Sequence, residues 1–111
     1  MPQIEWEDFQ RVELRVGTIV SAEVNEKAIK PAYVLQVDLG ELGLKNSSAQ
    51  ITAHYSCAEL IGKQVLCVCN FAPKRIAGVR SEVLVTGVYD ADNKVVLAGF
   101  DRPLPNGARL A

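Results

Sequence analysis

RVELRVGTIVSAEV, residues 11–24, is the stretch whose reading decides the fold. Val12, Leu14, Val16, Val20, Ala22 and Val24 fall on even positions, and Arg11, Glu13, Arg15, Ser21 and Glu23 on odd ones, with Ile19 the only large apolar exception. Successive side chains of an extended chain point to opposite faces, so a period of two sustained over 14 residues predicts a long, half-buried strand. Gly17 stands near its middle, where the missing side chain lets a strand coil sharply. A long first strand with a bend in it is the beginning of a small barrel.

Outward from this strand, NEKAIKPA reads as a polar connection and YVLQVDLG as a second strand ending at Gly40, with Tyr33, Leu35, Val37 and Leu39 on one face. ELG makes a turn, and LKNSSAQIT reads as a third strand of unusual polarity. In SCAELIGK, Ser56 and Glu59 have the spacing of a capping box and Gly62 supplies the stop, which predicts a short helix. QVLCVCN and EVLVTGVY read as the fourth and fifth strands, and VVLAGF as a short extra one after the ADN turn. The tail RPLPNGARL, with two prolines and Asn-Gly, reads as a turn-rich segment laid over the body. Five strands with a helix between the third and fourth, followed by a C-terminal extension, give an all-β fold class: an OB-fold barrel over a single domain, residues 1–111.

Composition narrows the function. With 23% charged and 49% hydrophobic residues the chain is that of an ordinary folded domain. A formal net charge of −1 argues against a globally basic binder, although binding depends on the field over one face rather than on the total. The first ten residues, MPQIEWEDFQ, are acidic and resemble no export signal, so a cytoplasmic location is expected. The longest apolar run, Val65 to Cys69, is five residues, and no membrane insertion is expected. Cys57, Cys67 and Cys69 are odd in number, which disfavours a disulfide framework. Cys67 and Cys69 point to one side of a strand and are read as core residues, because a zinc site needs three or four ligands and the lone His54 lies outside that strand. With no nucleophile motif and no Gly-rich phosphate loop, neither catalysis nor a metal or cofactor is expected.

Three features point to binding. NFAPKRIAGVRS, residues 70–81, reads as a connection between apolar strands that carries Lys74, Arg75 and Arg80 and no acidic residue. Such cations offer a point charge and planar forks to phosphate; the plain alternative is a solvated loop. NSSAQ, residues 46–50, places hydroxyls and amides where a strand ordinarily carries branched or aromatic residues, which suits hydrogen bonding to sugar, phosphate or a peptide backbone. IEWEDF places Ile4, Trp6 and Phe9 among acids on a terminal arm, which docks either on its own domain or on a partner subunit.

Taken together, DFQRVELRVGTIVSAE, KPAYVLQVDLGELGLKNSSAQIT, NFAPKRIAGVRSEVLV and PLPNGARL resemble the CsaA family of export-related chaperones, a branch of the tRNA-binding OB-fold domains found in Trbp-type proteins and on some aminoacyl-tRNA synthetases. The resemblance runs nearly end to end. It implies a homodimer that binds tRNA and unfolded or pre-export polypeptide. It also implies that Asn70, Lys74, Arg75 and Ser81 belong to the nucleic-acid face, with Ser47, Ser48 and Gln50 near it. The tRNA-binding relatives usually carry a basic residue where Ala77 stands here, and Arg80 replaces that cation from across the turn. For the homodimer, the arm with Ile4, Trp6 and Phe9 and the closing segment with Leu104 are expected at the interface. A tRNA-binding module without chaperone role stays open as the alternative.

Overall fold

The long strand forms as its alternation requires, and the rest of the barrel is wound from it. The computed structural model describes residues 1–110. Strands β1 (Leu14–Val24), β2 (Tyr33–Asp38), β3 (Leu44–Ala49), β4 (Gln64–Val68) and β7 (Leu84–Val85) make one antiparallel sheet in the order β3-β2-β1-β4-β7. The sheet nearly closes: the Glu82 and Val83 N–H groups, just before β7, donate to the Asn46 carbonyl of β3 at 2.8 and 3.4 Å. Helix α2 (Cys57–Leu60) lies between β3 and β4 in sequence and sends Leu60 into the core. Its capping box forms as the spacing predicts, Ser56 and Glu59 exchanging side-chain-to-backbone bonds. This is the five-stranded OB-type barrel with its helix and C-terminal extension.

Ile19, the exception in the alternation, turns out to be the barrel residue. It is fully buried among Leu35, Val37, Leu39, Leu60, Val65 and Cys67, while Val20 is 43% exposed. Before it, odd positions face the barrel: a β-carbon on Gly17 would lie 2.4 Å from Val37 Cγ1 and 2.8 Å from Leu39 Cδ2. The register with β2 then slips between Ile19 and Ser21, a bulge that turns the next even residue, Ala22, inward. The even residues Val12, Leu14 and Val16 therefore face away from the barrel. The tail runs along Leu14 and Val16, since Gly107, Val16 and Leu110 N–H groups donate to Val16, Ala108 and Leu14 carbonyls at 2.7, 2.9 and 2.8 Å, while Val12 stays 38% exposed. The first half of β1 thus pairs with the tail along the edge that β2 reaches only from Thr18 onward.

Three further expectations change, and the terminal arm takes a conformation that the sequence reading left open. Residues 74–81 are a hairpin rather than a loop, β5 (Lys74–Ile76) against β6 (Val79–Ser81). The single fifth strand breaks at Thr86, where both its N–H and its hydroxyl turn to the Leu66 carbonyl. Beyond the break the chain enters β8 (Gly87–Tyr89), which pairs with β9 (Val95–Leu97) in a separate hairpin. The terminal arm is a helix, α1 (Trp6–Gln10), capped by Glu5 and Asp8. The third strand stops at Ala49, before the Thr52 expected to end it.

Candidate nucleic-acid interface

The β5–β6 hairpin is built by its two-residue turn. Ala77 and Gly78 have φ of +47° and +81°, the positive pair that matches the twist of two antiparallel strands. The resulting register sets Arg75 directly opposite Arg80, and Lys74 opposite Ser81. Like charges facing each other across a ladder destabilise it unless an anion lies between or above them. None of the three cations is neutralised, because the four ion pairs among the described residues use Arg11, Arg15, His54 and Arg109. Arg75 makes only a 3.3 Å bond to the Gly78 carbonyl, and Lys74, Arg75 and Arg80 are all exposed.

The predicted polar residues take different places around this hairpin. Ser81 joins it to the barrel, its hydroxyl accepting from the Ser48 N–H at 3.2 Å. Ser48, Lys74 and Ser81 line one groove of about 450 Å³, together with Phe71, Ile76 and Leu84. Gln50 is exposed just beyond the end of β3. Ser47 stands inside the barrel, 1% exposed, because strand alternation that puts Ser48 outward puts Ser47 inward. Asn70 pins the chain on both sides of its amide: Oδ1 accepts from the Glu13 N–H at 3.0 Å and Nδ2 donates to the Arg11 carbonyl at 2.7 Å.

Tertiary structure adds residues that the sequence pattern does not single out. Lys27 comes from the β1–β2 connection to the hairpin tip, where its Nζ would lie 3.4 Å from a β-carbon on Gly78. Asn25, 8% exposed, donates to the Ala77 carbonyl at 3.4 Å and accepts from the Lys27 N–H at 3.1 Å, tying that connection to the turn. Lys45 and Arg80 share a second groove of about 450 Å³ with Pro73 and Phe71. Phe71 borders both grooves and is 60% exposed. The two lysines of NEKAIK were the available signal for Lys27.

Comparison with known proteins agrees with this geometry. Residues 14–109 match the putative tRNA binding domain family. The chain is similar in structure to the chaperone CsaA of Bacillus anthracis, with a TM-score of 0.93 and 46% identity over 99% of this chain and 100% of that one. It is similar also to the CsaA chaperone protein of Picrophilus torridus, with a TM-score of 0.91 and 44% identity over 98% of this chain and 100% of that one. The chain belongs to the CsaA-like tRNA-binding domain family. A methionine–tRNA ligase of Flavobacterium johnsoniae is 37% identical over 107 residues, 96% of this chain, and the chain spans 15% of that ligase's length.

Within this CsaA-like domain a second surface stands apart from the hairpin. Trp6 and Phe9 of α1, with ring centroids 5.3 Å apart, share a groove of about 300 Å³ with Val12, Leu14 and Leu110. Ile4, on the same terminal segment, is 71% exposed. Leu104 is elsewhere, held at β4 by Gln64, which donates to its carbonyl at 2.7 Å and accepts from its N–H at 2.9 Å. Cys67 is fully buried, and burial together with the neighbouring Cys69 pushes its thiol pKa up to about 12, far from reactive thiolate. Among the described residues no group of three or more His, Cys, Asp or Glu could hold a metal ion. No helix among them is long and apolar enough to cross a membrane.

Proposed function

We propose that this chain is a non-catalytic, cytoplasmic, CsaA-type binding protein, dimeric in solution, that holds tRNA on the β5–β6 hairpin and unfolded or pre-export polypeptide on apolar surface. The observation that carries the nucleic-acid part is the uncompensated cross-strand pair Arg75–Arg80, with Lys74 beside it. A ladder with two guanidiniums face to face gains most from a polyanion, since phosphate oxygens accept from both. Support for the polypeptide part is the likeness to two CsaA chaperones. A tRNA-binding module without chaperone role is the second reading, favoured by the methionine–tRNA ligase relatives.

A tRNA titration at several salt concentrations, run beside an aggregation-suppression assay, separates the two. The double variant Lys74→Ala, Arg75→Ala is expected to weaken tRNA binding about equally for all sequences. Each lost phosphate contact is expected to lower the slope of log affinity against log salt by about 0.7 to 0.9. Wild-type affinity and slope in that variant would return the hairpin to the status of a solvated connection. Suppression of aggregation that survives it, with weak salt dependence, supports the chaperone reading; no suppression by the wild type leaves the tRNA module alone.

A further inference from the structure

We infer that Phe71 is a stacking platform for an unpaired nucleobase, so that the hairpin site takes single-stranded or looped RNA in preference to duplex. The inference rests on the nucleic-acid reading above and specifies which part of an RNA enters the site. Phe71 is 60% exposed on a segment held at both ends. The Asn70 amide fixes the backbone before it through Arg11 and Glu13, and Pro73 stiffens the chain after it. Phe71 lines one groove together with Lys74 and another together with Lys45 and Arg80, so each groove it borders also holds a cation. Glu82, the acidic residue lining both grooves, turns its Oε2 to the Asn46 N–H at 3.0 Å.

Charge complementarity chooses the occupant. Among the described residues Lys45, Lys74 and Arg80 have no ion-pair partner, and an apolar peptide side chain docking here would supply none. An unpaired nucleotide offers a π-face to the ring and a phosphate to the flanking cations, the combination by which single strands are held without sequence readout. A base inside a duplex is already stacked on its neighbours and presents no free face to Phe71.

The test uses the full chain with tRNA, a single-stranded oligoribonucleotide and a blunt RNA duplex of the same length. Phe71→Ala is expected to weaken tRNA and single-strand binding by about 5- to 150-fold, from the stacking worth of one base, with the salt slope unchanged. Phe71→Leu keeps apolar bulk without the π-face, so the same direction of loss is expected from it, and it serves if Phe71→Ala folds poorly. Phe71→Trp is expected to retain affinity, the introduced indole being quenched on binding the single strand but not the duplex. Wild-type tRNA affinity in both Phe71→Ala and Phe71→Leu, with Lys74→Ala, Arg75→Ala still weakened, overturns the platform and leaves the proposed function standing. Loss of polypeptide holding without loss of RNA binding in Phe71→Ala makes the occupant a peptide and overturns it likewise. A wild-type protein that binds no tRNA removes both readings.

Discussion

Ala77 is a residue in the wrong conformation for its kind. An L-residue with a β-carbon at φ +47° has that carbon crowded against the next carbonyl, which costs about 1–2 kcal/mol. The turn nevertheless needs positive φ at both of its central positions, and Gly78 meets only half of that requirement without strain. Asn tolerates this region far better than Ala. Ala77→Asn is therefore expected to stabilise the hairpin by about 0.5–1 kcal/mol, read as slower hydrogen exchange at the β5 and β6 amides. Unchanged or faster exchange would mean that the turn is held by Asn25 and Lys27 rather than by its own backbone preference. In the sequence Ala77 was visible as a missing cation; its strain was not, because φ depends on the register of the two strands.

At the scale of elements, β1 divides into two halves with different neighbours, and Gly17 with the bulge after Ile19 makes the division possible. Gly17→Ala would drive a β-carbon into Val37 and Leu39, both fully buried and with no free space to retreat into. A loss of about 1–3 kcal/mol is expected by urea unfolding, and a cost below about 0.5 kcal/mol would show that β1 and β2 separate easily there. The β8–β9 hairpin is fastened differently, by a 2.7 Å contact between His54 and Asp90. The Lys94 N–H first, and then the His54 side chain, hold the Asp90 carboxyl below its ordinary value of 3.8. A depressed carboxylate stabilises the folded state above its unfolded pKa, and that stabilisation is lost as pH falls through the folded pKa. Wild type is thus expected to lose stability more steeply than Asp90→Asn as pH drops below about 5, with the two profiles converging at lower pH. Parallel profiles would mean that the backbone turn holds the hairpin without the charge.

For the whole molecule, the consequential surface is the one away from the hairpin. Ile4 and Trp6 are 71% and 63% exposed, and with Phe9, Val12 and Leu110 they leave an apolar face that one copy of the chain does not cover. A second copy covering it buries the indole, the kind of residue on which interface energies concentrate. Sedimentation at micromolar concentration is expected to give a dimer, and Trp6→Glu a monomer with the barrel still folded. A wild-type monomer at that concentration, or a Trp6→Glu dimer, would remove the terminal helix from the interface. Leu104 belongs to a different part of the surface, fixed to Gln64, so Leu104→Ala tests whether the interface reaches that far.

Much of the architecture was legible in local pattern. Alternation along β1 and β2, the Ser56–Glu59 box and the Asn-Gly of the tail are interactions between near neighbours in the chain, and near neighbours are written side by side. The basic stretch 74–80 was legible too, as composition. Tertiary structure alone decided which face of β1 looks into the barrel, since a one-residue bulge reverses the sides and leaves no mark in a run of Ile, Val, Ser and Ala. It also decided that Arg75 confronts Arg80, that Lys27 reaches the same tip from a distant connection, and that Ser47 and Ser48 part to opposite sides. These are facts of register and of approach between segments far apart in sequence, and they exist only once the barrel has closed.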